Sequence, residues 1–370
     1  MTDDHGAGLR YAEPLLEAEE RFRFRRQWSI GPADDALREG WVRHALPDGQ
    51  VLDGHPDLRV TEVSIEGGTV WVLGLAVRPV AADPTDLGWA GVSATDSDAI
   101  ERAVYGLAGQ YVVLVASDRD DVPSVRVYTD PGAMMQVYYN DEGRIASTPS
   151  LFPGVTRDSE VDREYPLRGT DDWYPGSLCP YVGIRSLIAN HVLDVQSGTI
   201  HRFWPKRAPD AMDAPTGIAA GGAILSGMMR GFVESAPVLL SLTGGRDSRV
   251  NLAAARELVD RIETFTIRSP KVKRCDLDAP AAMADRWGLD HRFVDVVPAN
   301  PSVVALYDEI SADMALGSRR EILGACAEVA SSRYVHVSGN LGAITKSFFW
   351  PSSRPKSVSL RPPLTGCLCA

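Results

Sequence analysis

Five residues clustered at 243–248 could do phosphate chemistry: Thr243, Gly244, Gly245, Asp247 and Ser248. Glycines let a backbone approach a ligand closely. Free N–H groups at the start of a following helix, aided by its dipole, favour an anion there. Thr243 and Ser248 add hydroxyl donors, and Asp247 can hold a cation that bridges phosphate oxygens. The same letters also suit a plain turn in which Asp or Ser caps a helix. Context separates the two readings, since the chemical one requires a strand before and a helix after. No Gly-Lys-Ser or Gly-Lys-Thr is present, so this is not a Walker A loop.

The flanking pattern supplies that context. The apolar run 238–242 predicts a buried strand, and 248–259 has helical spacing with Val250, Ala253, Ala254 and Leu258 on one side. Further strands are expected at 263–268, 291–297 and 334–338, and helices at 278–287, 303–315 and 320–331. Pro280 near the first turn and Gly288 just past the end fit the usual asymmetry of a helix. Asp278 reads as the N-cap ahead of Pro280, and His291 as a packing or surface residue. Strands alternating with helices predict a parallel sheet with right-handed crossovers. Ligands in such sheets bind beyond the carboxyl ends of the strands. There lie the loop 243–248, the strand end near Ile267 and the turn at Ser338 and Gly339.

The first half of the chain reads differently. Runs at 60–65, 70–77, 110–116, 124–128, 136–139, 184–187 and 190–195 predict short, largely antiparallel strands. Gly67-Gly68 and Asn140 to Gly143 are turn signals between them. A short helix is expected over 98–109. The alternation at 21–26 predicts a strand with Phe22 and Phe24 inward and arginines in solvent. His191 and His201 read as packed, hydrogen-bonded residues, because no second ligand sits at metal-binding spacing. Prolines and weak periodicity mark 206–217 as a linker, and 219–234 as a helix.

The 370 residues include 38 Lys and Arg against 49 Asp and Glu, a formal charge of −11. An acidic chain is poorly suited to nucleic acid or an anionic membrane. A polyphosphate site must therefore be built locally, from backbone N–H groups, a metal or a few basic residues. The five cysteines are scattered and odd in number, as expected of reduced thiols. No signal peptide or membrane-spanning run is evident, so the expectation is a cytoplasmic protein.

The string 243–248 resembles the pyrophosphate loop (PP-loop) of the N-type ATP pyrophosphatases, Ser-Gly-Gly-x-Asp-Ser, with Thr243 where serine is usual. Upstream, Gly109-Gln110-Tyr111, Asp130-Pro131-Gly132, Tyr138-Tyr139 and Ala146-Ser147 fall in the order seen in the glutaminase-like domain of asparagine synthetases. The resemblance implies an α/β protein in two parts. Residues 1–205 would be an N-terminal-nucleophile αββα sandwich lacking its cysteine nucleophile. After a linker, 218–350 would be a parallel-sheet PP-loop domain of the adenine-nucleotide α-hydrolase type, cut short and followed by a tail at 351–370. No cysteine precedes Cys179, and Thr2 is a poor substitute nucleophile.

The resemblance also implies ATP and Mg²⁺ as cofactors. Leu242, Ile267, Ser338 and Gly339 would rest against adenine and ribose. Thr243, Gly244, Gly245, Asp247 and Ser248 would hold the pyrophosphate, with Asp247 on the metal. Ala343 stands where the family carries a second acid, and Leu341 where it carries a glycine. The implied reaction adenylates a small-molecule or peptide carboxylate and passes it to an amine whose source is not glutamine. That is the chemistry of β-lactam synthetases and lasso-peptide macrolactam synthetases. The alternative is a shortened or degenerate paralogue that binds nucleotide, or a protein partner, without turnover. Cys367 and Cys369 read as incidental thiols on the tail.

Overall fold

A computed structural model describes residues 23–119, 124–167, 174–207, 210–314, 322–329 and 334–339. The expectations for Thr2, Leu341, Ala343, the tail, Cys367 and Cys369 lie outside these residues. The chain divides into two units, Met1–Ser235 with Val296–Ser332, and Ala236–Asp295 with Arg333–Ala370. It is a mixed α/β protein with antiparallel sheets in the first unit and a parallel sheet in the second.

The first unit holds β1 (Trp28–Pro32), β2 (Val42–Ala45), β3 (Gln50–Gly54), β4 (Val60–Ile65), β5 (Gly68–Val77) and β6 (Ala108–Ser117). It continues with β7 (Val125–Thr129), β8 (Tyr138–Asn140), β9 (Ile145–Ala146), β10 (Ile184–Ser186), β11 (His191–Asp194) and β12 (Ile200–Arg202). They form two six-stranded sheets, ordered β10-β8-β9-β1-β3-β2 and β12-β11-β7-β6-β5-β4. Period-two alternation sends Trp71, Leu73, Val112 and Leu114 to one face of the second sheet, where they meet Trp28, Ile30 and Leu52 of the first. Val70, Val72, Val113 and Val115 point the other way, onto Ile100 and Val104 of helix α1 (Ser97–Tyr105). Both faces are thus buried, which explains the near-continuous apolar runs.

Helix α2 spans Ser159–Glu164, and α3 spans Ala214–Ser235. The sequence predicts a linker over 206–217, whereas α3 already starts at Ala214. A methyl at Gly231 would lie 2.8 Å from Val77 Cβ, so α3 lies close against β5. Helices α6 (Pro301–Ser311) and α7 (Leu323–Val329) also belong to the first unit. Ile310 and Met314 pack on the outer face of the first sheet, beside Tyr138, Ile184 and Trp41. Arg23 forks onto Glu309 at 2.6–3.1 Å, and the Ser150 hydroxyl donates to the Glu309 carbonyl at 2.7 Å. The layering is helix, sheet, sheet, helix.

Two local expectations are corrected. Residues 23–26 form a turn, because Phe24 and Arg26 have φ of 52° and 60°, outside any strand. Phe24 is nonetheless buried. His201 is exposed on the edge strand β12, while His191 bonds the Ala189 carbonyl through Nδ1 at 2.9 Å.

The turn after β7 is organised by one carboxylate. Asp130 is buried, and its oxygens accept the N–H groups of Gly132, Met134 and Met135 at 2.9–3.0 Å. Burial raises its pKa, and those N–H groups oppose the rise.

In the second unit lie β13 (Val238–Ser241), α4 (Arg246–Ala254), β14 (Ile262–Arg268), α5 (Cys275–Trp287), β15 (Asp290–Asp295) and β16 (Val335–Val337). The strands are all parallel, ordered β15-β14-β13-β16. From β13 the chain steps outward to β14 and β15, then returns to the opposite side of β13 with β16. The order therefore reverses between β13 and β16, and the loops leaving their carboxyl ends flank the place where sheets of this kind bind ligands. Among the described residues, no helix of the molecule is long and apolar enough to cross a membrane.

Candidate functional site

The reversal point is where the predicted residues meet. Strand β13 ends at Ser241, aligned with Phe265 of β14, and Leu240 aligns with Val337 of β16. Beyond those ends come Leu242, Thr243, Gly244 and Gly245, and then α4 begins. Ser338 and Gly339 follow β16 on the other lip. A methyl at Gly339 would lie 2.9 Å from Asp247 Cβ and 3.0 Å from the Ser248 nitrogen. The two lips are therefore in contact, and glycine permits it. Ile267 stands further out along β14, opposite Val294, and is half-buried.

The loop is braced by its own hydroxyls. Ser248 is buried and its hydroxyl accepts from the Thr243 nitrogen at 3.1 Å. The two hydroxyls lie 3.2 Å apart, and Thr243 Oγ1 accepts from the Gly245 nitrogen at 3.0 Å. Two N–H groups that the sequence offers to a ligand are thus held internally. The N-cap is Gly245, which brings no side chain to the first turn of α4. That turn carries the positive end of the helix dipole without a capping oxygen, and Asp247 sits in it half-buried. Among the described residues no group of three His, Cys, Asp or Glu could hold a metal.

Several bracing residues escape sequence reasoning. Asn251, also buried, donates through Nδ2 to the Ser338 carbonyl at 2.9 Å and ties the lips together. The Thr266 hydroxyl donates to the Leu242 carbonyl at 2.5 Å. These contacts correct the phase of α4: Ser248, Asn251 and Leu252 are buried, while Val250 and Ala253 face solvent. Gly244 lies against the start of α5, where a methyl would meet the Cys275 carbonyl at 2.6 Å and Asp276 Oδ1 at 3.1 Å. Asp278 is inside α5, and Arg274 takes the N-cap position predicted for it. The stretch 268–274 before α5 holds Arg268, Lys271, Lys273 and Arg274 and no acid, a sequence signal of local positive charge. Arg268 pairs with Asp295 at 2.7 Å, and Arg274 with Asp278 at 3.2 Å.

His291 supports the loop from below. Its ring nitrogens lie 2.8 Å from Thr264 Oγ1 and 3.3 Å from Thr266 Oγ1. Burial pushes its pKa down to about 4, against the opposing pull of Asp290. The folded state therefore resists a proton that the unfolded chain accepts near 6.5. Stability should fall as pH drops from about 6.5 towards 4. His336, also lowered by burial, acts in the same direction. Urea unfolding at several pH values should show a shallower loss in His291→Asn than in the parent; identical slopes would refute this role.

No protein-family model matches the chain, and no curated protein is significantly similar to it. Among solved structures, it aligns with the glutamine-dependent NAD+ synthetase of Acinetobacter baumannii in complex with ADP. The alignment has 20% identity and a TM-score of 0.23 over 40% of this chain. It spans 28% of the length of that protein. A likeness this small assigns neither family nor activity.

Proposed function

We propose that the second unit binds ATP and that the protein is an ATP-dependent amide-forming synthetase. The reading rests on one observation above the others. A glycine loop and an uncapped helix start lie on one side of the strand-order reversal, and Ser338 and Gly339 lie against them on the other. Backbone N–H groups and the helix dipole at such a place suit a phosphate chain. The basic stretch 268–274 adds local positive charge to an acidic protein.

In this reading a carboxylate oxygen attacks the α-phosphorus of ATP, and pyrophosphate leaves. An amine then displaces AMP from the acyl-adenylate. Asp247 would hold Mg²⁺ together with phosphate oxygens, an arrangement typical of that ion. The loop positions the phosphates and offsets the charge that develops on pyrophosphate. The first unit is read as a glutaminase-like sandwich without its cysteine, so the amine comes from a second substrate or from the same molecule. The carboxylate is a small molecule or peptide, and the cell compartment is the cytoplasm. The second reading, a paralogue that binds nucleotide or only a protein partner without turnover, is favoured by the two loop N–H groups that Thr243 and Ser248 already hold, which leaves fewer donors for a leaving pyrophosphate.

Pyrophosphate release with ATP and Mg²⁺ across a panel of carboxylates tests the proposal. Asp247→Ala should lower it by about 10²-fold. ATP binding that depends on Asp247, with no release, would support the second reading. Absence of ATP binding would remove the synthetase and leave only the protein-partner form of the second reading.

A further inference from the structure

The first unit contains a cavity of ≈ 240 Å³ on the outer face of its first sheet. Its floor is unusually bare. Ser29, Gly31 and Ala146 turn away from the sandwich core that Trp28 and Ile30 enter, and Ser29 pairs with Ala146 across β1 and β9. A methyl at Gly31 would lie 2.9 Å from Asp35 Oδ2 and 3.1 Å from Arg144 Nη1. Trp41, Leu151 and Phe152, all buried, supply apolar walls.

The charged groups around the cavity are not all paired. Asp35 is held by Arg144 through two hydrogen bonds, and Asp53 by Arg43 through two at 2.7 Å. These two acids are thereby neutralised. Arg38 also lines the cavity, and among the described residues it joins no ion pair. Its guanidinium lies 5.0 Å from the Phe24 ring centre and 5.7 Å from that of Trp41. Those rings fix the cation at the cavity wall without satisfying its N–H groups. Arg23 lies nearby but is paired with Glu309. Partial desolvation foremost, then Arg23, lowers the Arg38 pKa, and Glu309 opposes the shift.

We propose that this cavity binds a small aromatic monocarboxylate, its ring against Trp41 and Phe152 and its carboxylate on Arg38. A guanidinium favours a planar carboxylate because it offers paired donors. The volume is below the roughly 300–1,000 Å³ of a drug-sized pocket, which restricts the ligand to about ten non-hydrogen atoms. The inference does not depend on the ATP reading, since every residue it uses lies in the first unit.

Phenylacetate and its neutral isostere phenylacetamide are the probes, titrated into the full chain by calorimetry and by Trp fluorescence. Phenylacetate should bind with Kd below about 1 mM. Phenylacetamide should bind at least about tenfold more weakly, the cost of losing the charge-assisted contact. Arg38→Met should remove that difference while leaving the melting temperature unchanged, because Arg38 is exposed. Arg38→Lys should restore part of it. If Arg38→Met failed to fold, the ratio between acid and amide on the parent chain would still decide. No saturable binding of phenylacetate, equal binding of acid and amide, or an Arg38→Met chain that still prefers the acid would each overturn the proposal.

Discussion

Replacing Gly244 with alanine should reduce ATP-dependent pyrophosphate release by at least about 100-fold. The added methyl would lie 2.6 Å from the Cys275 carbonyl oxygen. That oxygen belongs to the first residue of α5, so the obstacle is backbone and cannot rotate aside. The loop must lift, or α5 must retreat. Overpacking of this kind costs about 1–3 kcal/mol. The larger loss is functional, because displaced donors no longer meet the charge that develops on the leaving group. Gly245→Ala is the matched control. Its φ of −65° is ordinary, and its methyl meets only the Thr243 hydroxyl at 3.0 Å. Activity in that variant should stay within about threefold of the parent, an effect below about 0.7 kcal/mol. Circular dichroism should show both variants folded. Parental activity in Gly244→Ala would remove the loop from the proposed chemistry.

Asp130→Ala should give the largest loss of stability. Three N–H groups of a partly exposed turn would lose the one buried carboxylate that gathers them. Hydrogen bonds to a charged group contribute about 1.5–3 kcal/mol each, and part of this returns if water enters. A net cost of about 3 kcal/mol follows. Asp130→Asn should cost less than alanine. Its carbonyl can still serve Gly132 and Met134, but its NH₂ would oppose the Met135 N–H, which Asp130 Oδ2 now accepts. Urea unfolding measures both. An Asp130→Ala chain as stable as its parent would mean that the turn is held by something else.

What the sequence made legible was local. The loop could be found because Gly-Gly followed by Asp-Ser sits between a β-branched and leucine-rich run and a helical one. The parallel sheet followed from alternation of element types, and a largely antiparallel β layer from short apolar runs and glycine turns; its division into two stacked sheets was implied only by the resemblance. The bracing of the site was not legible, because Asn251 reaches Ser338 across 87 residues and Thr266 reaches Leu242 across 24. Side-chain bonds to distant carbonyls leave no periodic trace. The helical face of α4 was misphased for a related reason. Its buried side carries Ser248 and Asn251, polar residues that a hydrophobic stripe passes over. The strand expected at 21–26 failed because alternation says nothing about φ, and Phe24 and Arg26 adopt the left-handed region. Asp278 was placed at a helix start by Pro280, yet α5 begins three residues earlier at Cys275 and holds Pro280 in its second turn, where proline forgoes a backbone hydrogen bond.

The parallel sheet is discontinuous in the chain, and this has a consequence for biosynthesis. Strands β13, β14 and β15 emerge from the ribosome as one stretch, but β16 follows only after residues 296–332, which belong to the other unit. Until then β13 is an outer strand with an unpaired edge. Ser338 and Gly339 arrive with β16, so the second side of the strand-order reversal is completed only when this late segment docks. A nascent chain halted before residue 334 would carry the glycine loop but lack its counterpart.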